Sequence, residues 1–528
     1  MFSLASLIGL AALLNFLYGL YTTVKHARNS FRWHCGSLPD YPSDFLGWNT
    51  LKELQAADKA RRLPVLFVDR FSLMKTRENR RVHTYLTRQA LRDVIITCDP
   101  KNIQAMLAIQ FNDFELGSSR RISLHPLLGN GIFTTDGEHW SRSRALLRPQ
   151  FTRDQISDLD LEERHVQHAF RAMPVDPTTG WTSAVDIQTL FFRLTMDSAT
   201  EFLFGESVNS QSAALDTNQP DSFSANFDRG QQLAGQRARL DKLHWLANTK
   251  ESRHVNADVH AYVDRFVRAA LDYHQQSQSK PDSPAPTKQH GVFLQQLAAA
   301  TQDPMELRSQ LLNVLLAGRD TTASLLSWSL LLLARHSDVF TKLRTAILAA
   351  FGPDGPNTTP ISSIAPITFT SLKDCRYLQA FLNEVLRLYP IVSNNRRTAV
   401  RDTTLPRGGG PDGSRPVYIR AGQQVLYSVF AMHRRVDLWG EDADVLRPER
   451  WMEHSPGHRV GWEYLPFNGG PRICIGQQFA LTEAGYVLVR LLQRFGAVED
   501  VFPEREVNYA LNLTIAPGEN VTVRMKAA

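Results

Sequence analysis

Cysteine is scarce in this chain. The 528 residues contain four, Cys35, Cys98, Cys375 and Cys474, and no two stand in a CxxC pair. Neither a disulfide framework nor a zinc site is expected from that spacing, and the sparse usage suits a reducing compartment. A strong excess of one charge is also missing. The net charge is +6, with no run of Lys and Arg interleaved with aromatics, so no nucleic-acid partner is expected. The mild excess fits an anionic membrane surface or an acidic protein partner, and equally an ordinary solvated surface. From about residue 50 onward there is no internal repeat and no linker long enough to divide the chain. No flavin or nicotinamide fingerprint is present.

What remains is a globular composition, 43% hydrophobic and 21% charged. The length exceeds the roughly 250–300 residues at which a single core usually stops growing. Either several domains are present or one large domain is wrapped around something. Three segments follow from the pattern: residues 1–23, a polar connector 24–49 with Pro39 and Pro42, and a catalytic domain 50–528. Residues 1–23 carry no charge and match the hydrocarbon thickness of a bilayer. Lys25, Arg28 and Arg32 follow, which puts that side in the cytoplasm. The run is long and has no basic stretch before it, so it reads as an uncleaved transmembrane anchor rather than a signal peptide.

Within the large domain, residues 206–222 and 275–289 read as surface insertions, the second having a composition that cannot pack. Residues 305–336 are apolar nearly all round and predict a buried helix. Arg319 and Asp320 in its middle argue against a membrane span. Residues 376–389 predict a second helix. Short apolar runs between turns in 405–430 predict a small sheet, and Gln477–Phe495 a last helix. The fold class is mostly α with a minor β region.

The most informative stretch is Phe467 to Gly476, FNGGPRICIG, of the form F-x-x-G-x-R-x-C-x-G. Its glycines let the backbone turn tightly and approach a flat ligand. Cys474 precedes a helix, so its sulfur sits near backbone N–H groups and the positive helix end, which favour the thiolate. A thiolate is the axial ligand with which a haem iron promotes O–O cleavage. Arg472 is placed to pair with a haem propionate.

This loop resembles the cysteine-ligand signature of the cytochrome P-450 superfamily. The resemblance implies haem b held by Cys474, with Phe467, Gly470, Arg472 and Gly476 around it. It also implies the mostly helical fold of that family behind an N-terminal transmembrane helix. Other motifs agree. Glu384 and Arg387 form an E-x-x-R pair on one helix face, and the resemblance joins them to Arg450 in a buried network; Trp451 stands where the family usually has Phe. Ala317 to Thr322 (AGRDTT) interrupts the apolar helix with Gly and two threonines, whose hydroxyls can bond upstream carbonyls and bend the axis. A widened turn for dioxygen is expected there, with Asp320 and Thr321 delivering protons. Val314, Ala317 and Gly318 are candidates to line the substrate pocket. Trp140 and Arg144 share a helix face and, by resemblance, meet the propionates. Arg142 and Arg148 offer a basic docking face for an acidic reductase. Arg397 is another implied propionate partner, with Arg396 as a competitor.

The likeness extends to a narrower group. Glu201–Val208, Ser143–Phe151, Leu315–Ala323 and Leu405–Gly413 are similar to the fungal enzymes that hydroxylate n-alkanes and fatty acids. Ser324 and Ser393 depart from that group, where Gly and Pro are usual. The resemblance implies an endoplasmic-reticulum enzyme with a cytosolic catalytic domain. Its electrons come from NADPH through a separate NADPH–cytochrome P-450 reductase, with cytochrome b5 as a second donor. The expected reaction is insertion of one oxygen atom from O2 into a C–H bond of a lipophilic substrate, foremost terminal hydroxylation of a fatty acid or alkane. Two alternatives stand beside it: tailoring of a fungal secondary metabolite, and a haem sensor that oxidises nothing.

Overall fold

The computed structural model describes residues 4–152, 159–217, 222–279, 292–353, 366–453 and 461–528. The chain organises itself around a central helix, Pro304–Arg335, about 48 Å long at 1.5 Å per residue. Asp303 caps its start by accepting from the Met305 N–H, and Pro304 occupies the first turn, where a missing N–H costs nothing. Nearly every residue from Leu307 to Leu333 is buried. Trp328 is fully buried and stacks on Tyr389 with ring centroids 4.1 Å apart. The helix Ile187–Phe204 and the helix Gln477–Arg494, which follows Cys474, pack against it. The second predicted helix spans Arg376–Leu388.

The β region is small. Its largest sheet has the spatial order Thr84–Gln89, Arg92–Thr97, Gln424–Ser428, Asn394–Ala399, Phe114–Glu115. Only the Arg92–Thr97 and Gln424–Ser428 pair is parallel. This sheet sets the orientation of Arg397. Alternation along Asn394–Ala399 buries Arg397 and exposes Arg396.

Three expectations change. Residues 210–217 are not a loose insertion. Ser210–Thr217 is a helix, its start pinned by the buried Asp197, whose carboxylate accepts from the N–H groups of Ser210 and Gln211. Of the stretch 275–289, residues up to Ser279 continue the helix Lys250–Ser279; the rest lies outside the described residues. The first helix, Leu4–Arg32, runs through the boundary expected at residue 23. Its polar end is clamped to the catalytic domain, with His26 hydrogen-bonded to the Tyr418 hydroxyl at 2.9 Å and Lys25 paired with Asp402 at 3.2 Å. Among the described residues no helix is long and apolar enough to cross a membrane. The apolar run begins at Met1, and its first three residues are outside the described part.

Candidate haem-thiolate site

The cysteine loop is held in place from three sides. The Cys474 N–H donates to the Phe467 carbonyl at 2.9 Å, which closes the loop. Asn468, at φ +61°, donates to the Arg472 carbonyl and accepts from the Tyr427 hydroxyl. Gly470 sits at φ +64° with its Cα turned to the Leu107 carbonyl, so a Cβ there would collide with that oxygen. Only glycine fits this crossing. At Gly476 a Cβ would stand 3.6 Å from the Phe151 ring, an ordinary contact.

Cys474 opens onto a cleft of about 410 Å³ lined by Arg144, Arg148, Phe151 and Ile475, among others. Protein nonetheless crowds the sulfur, and this burial pushes the thiol above its ordinary range; the Gly476 N–H and the Arg144 guanidinium pull it back. Arg144 is tied to the loop by donating to the Ile473 carbonyl at 2.9 Å. Arg142 is paired with Glu306 at 3.0 Å, which leaves Arg148 as the freer cation at this face.

Near the loop, arginines outnumber the acids that face them. Arg472 lies over the Trp140 ring at 4.3 Å and pairs with Asp136 at 2.6 Å. Burial first, and then Arg397, Arg120 and Arg144, push Arg472 down to about 10, against the pull of Asp136. Burial and then Arg397 push Arg120 down to about 10 as well. Arg120 belongs to no sequence motif and was missed for that reason; only the fold brings it to Arg397 and Arg472. The acids within electrostatic reach of this group are Asp136 and Glu115. Cations pressed together in this way fit an anionic guest, as a porphyrin bearing two propionates would be.

One face of the central helix is incompletely buried. Between Ser309 and Leu333 the residues that are not buried are Val314, Ala317, Gly318 and Thr321, spaced i, i+3, i+4, i+7 on one face. Thr321 donates to the Ala317 carbonyl at 2.6 Å. The helix stays α-helical throughout, so the widened turn expected at this point is not opened. Asp320 does not meet Thr321. It is buried and accepts from Arg319 at 3.0 Å, while Arg319 also grips Asp228 of the helix Ser222–Leu240. Burial outweighs Arg319 and holds Asp320 above the usual carboxylate range. Ser324 continues the stripe one turn on but is wholly buried, and Ser393 is buried too; neither lines open space.

Behind the site, Glu384, Arg387 and Arg450 come together. Glu384 Oε1 accepts from Arg387, Arg450 and the Arg447 N–H, and Oε2 from Arg387 and Trp451, all between 2.8 and 3.0 Å. His433, also missed from sequence, connects this network to the loop. Its Nε2 accepts from the Leu465 N–H at 2.9 Å, so Nδ1 carries the proton and faces the Arg387 carbonyl at 3.1 Å.

A cysteine that opens onto a cleft, with arginines gathered near its loop, is chemically suited to a thiolate-ligated anionic cofactor. The comparisons identify the family. It matches the cytochrome P450 family model over residues 69–512, and it belongs to that family of monooxygenases. It is 47% identical to cytochrome P450 monooxygenase g430 of a Fusarium species, covering 95% of this chain and 86% of that one. It is 47% identical to cytochrome P450 52A12 of Debaryomyces hansenii, over 81% of each. Cytochrome P450 monooxygenase alt2 of Alternaria solani is 42% identical, over 96% of this chain and 94% of its own. The fold matches the crystal structure of the cytochrome P450DA heme domain with TM-score 0.69 at 21% identity, covering 93% and 96% of the two chains.

Proposed function

We propose that this monooxygenase hydroxylates long-chain fatty acids or n-alkanes at or near the chain end. The observation that carries the reading is the partly buried face Val314, Ala317, Gly318, Thr321, which carries no charge and little bulk. The likeness to cytochrome P450 52A12 and the similar segments Leu315–Ala323 and Leu405–Gly413 support it. Bound haem b would supply the oxygen-activating oxidation, drawing electrons from NADPH through a separate reductase. Cys474 would hold its iron, and Arg120, Arg397 and Arg472 its propionates. Arg144 and the Gly476 N–H favour negative charge on the sulfur, against burial, which outweighs them in the bare polypeptide. Thr321 would hold a proton donor on the oxygen side, released from the Ala317 carbonyl when a better acceptor arrives. Arg148 would face the reductase.

The first helix would anchor the chain in the endoplasmic-reticulum membrane; Leu13, Leu14, Phe16, Leu17 and Tyr18 are exposed there with no protein covering them.

Microsomes co-expressing a reductase and fed fatty acids and alkanes of graded length test the substrate. Terminal hydroxylation with a preferred length is expected. No spectral shift with any chain length, together with turnover of an aromatic polyketide, overturns the lipid reading and favours the tailoring alternative.

A further inference from the structure

Glu483 lies nine residues beyond Cys474, in the second turn of the helix Gln477–Arg494, and is buried. Charged residues almost never occupy such places unless paired. Its carboxyl sits where three helices meet. Ser198 of the helix Ile187–Phe204 donates to Oε1 at 2.7 Å. Thr322 of the central helix is close enough to bias the carboxyl electrostatically. Yet Oε2 of Glu483 and Oγ1 of Thr322 are both buried with no hydrogen-bond partner. Besides burial, Ser198 and Thr322 are the groups that bias the carboxyl most, and a neighbouring titratable group interacts with it. Two oxygens left unpartnered in the same interior are costly as they stand; a proton on Glu483, with a turn of the two side chains toward each other, would satisfy both. Burial pushes Glu483 up to about 7, so the proton is present below neutral pH.

We propose that Glu483 is a positioning residue for the oxygen side of the site, acting as a neutral carboxylic acid that donates to Thr322 while accepting from Ser198. Thr322 is next to Thr321. Fixing its hydroxyl as an acceptor leaves its own proton free to turn to its own helix, and so sets the turn that carries Thr321 on the partly buried face. When Glu483 loses its proton, Thr322 must reverse and donate to the carboxylate. The helix that follows Cys474 and the Thr321 turn are thereby linked through Glu483. The sign follows from the raised folded-state pKa. The contribution is complete below the ordinary carboxylate range near 4.5 and is lost as pH rises through about 7.

The test uses the haem-loaded full chain with its reductase, and compares wild type with E483Q, which keeps the shape and a donor but cannot titrate. Three readouts are followed from pH 6 to 8.5: the infrared band of a protonated carboxylic acid, the unfolding temperature, and product formed per NADPH consumed with dodecanoic acid as probe. Wild type should show the band at pH 6, lose it across neutral pH, and lose stability and coupling with it. E483Q should lack the band and give flat profiles. S198A and T322V guard against a folding defect at position 483: each should shift the midpoint of the band while haem content stays normal. The proposal is overturned if the wild-type minus E483Q spectrum shows no protonated carboxyl at pH 6. It is equally overturned if E483Q keeps the wild-type pH profile, or if T322V leaves the midpoint unmoved.

Discussion

Trp451 donates its indole N–H to Oε2 of Glu384 at 2.9 Å. The position read from sequence as a conservative aromatic exchange for Phe therefore adds a bond that Phe cannot make. It is one of five donors converging on a carboxylate with no exposure to water. Trp451→Phe should cost about 1.5–3 kcal/mol, the usual worth of a hydrogen bond to a charged group. Denaturant unfolding followed by circular dichroism checks it. Glu384→Ala, which strands two buried arginines, should cost more, on the order of 3–5 kcal/mol. Equal losses for the two variants would mean that Trp451 contributes chiefly by packing.

His433 ties the same network to the cysteine loop, and its burial gives a second, pH-dependent prediction. Burial, with help from Arg387, pushes the ring down from 6.5 to about 3. The folded state thus refuses a proton that the unfolded chain accepts. Its stability contribution is complete above pH 6.5 and is lost progressively as pH falls toward 3. Unfolding midpoints measured between pH 4.5 and 7.5 should fall on the acid side in wild type, and fall less steeply in His433→Gln.

Much of this was legible from spacing alone. The central helix came out at Pro304–Arg335 against an expected 305–336 because its apolar pattern is uninterrupted and Asp303 and Pro304 mark its start. The cysteine loop and the Glu384 pair are read from a few close positions. What stayed hidden depends on distant partners. Arg120 and His433 have no local pattern, since their roles arise only when distant residues fold beside them, 275 positions away for Arg120 and 46 and 32 for His433. The helix Ser210–Thr217 has a loop-like composition and is held by Asp197, a cap outside its own sequence.

Arg396 and Arg397 looked equivalent until strand parity separated them. Arg397 is 3% exposed and faces the arginine cluster; Arg396 is exposed. Arg397→Ala should lower the haem content of purified protein several-fold, measured as haem per polypeptide, and Arg396→Ala should leave it near the wild-type value. Similar losses in both would remove Arg397 from the propionate site.

Thr321→Ala should separate chemistry from folding. The hydroxyl bonds back to Ala317 within its own helix, and alanine is the better helix former by roughly 0.5 kcal/mol, so stability should hold or rise. Haem content should be unchanged. Hydrogen peroxide released per NADPH should increase and product decrease. Unchanged coupling would refute the proton role given to Thr321.

Two glycines of the cysteine loop should respond to alanine for different reasons. At Gly470 the added methyl meets the Leu107 carbonyl, and the backbone is already at φ +64°. The polypeptide alone forbids it, so Gly470→Ala should destabilise the haem-free and haem-loaded protein alike. At Gly476 the polypeptide raises no objection: φ is −85° and the nearest atom stands 3.6 Å away. Gly476→Ala should therefore fold normally without haem. Any defect it shows must come from a group the polypeptide does not itself supply, lying close against the loop beside Cys474. Haem titration of the refolded apoprotein, with unfolding temperatures before and after, distinguishes the two. Weakened haem binding by Gly476→Ala with an unperturbed apoprotein would locate the porphyrin plane against that glycine; tight wild-type binding would place it elsewhere.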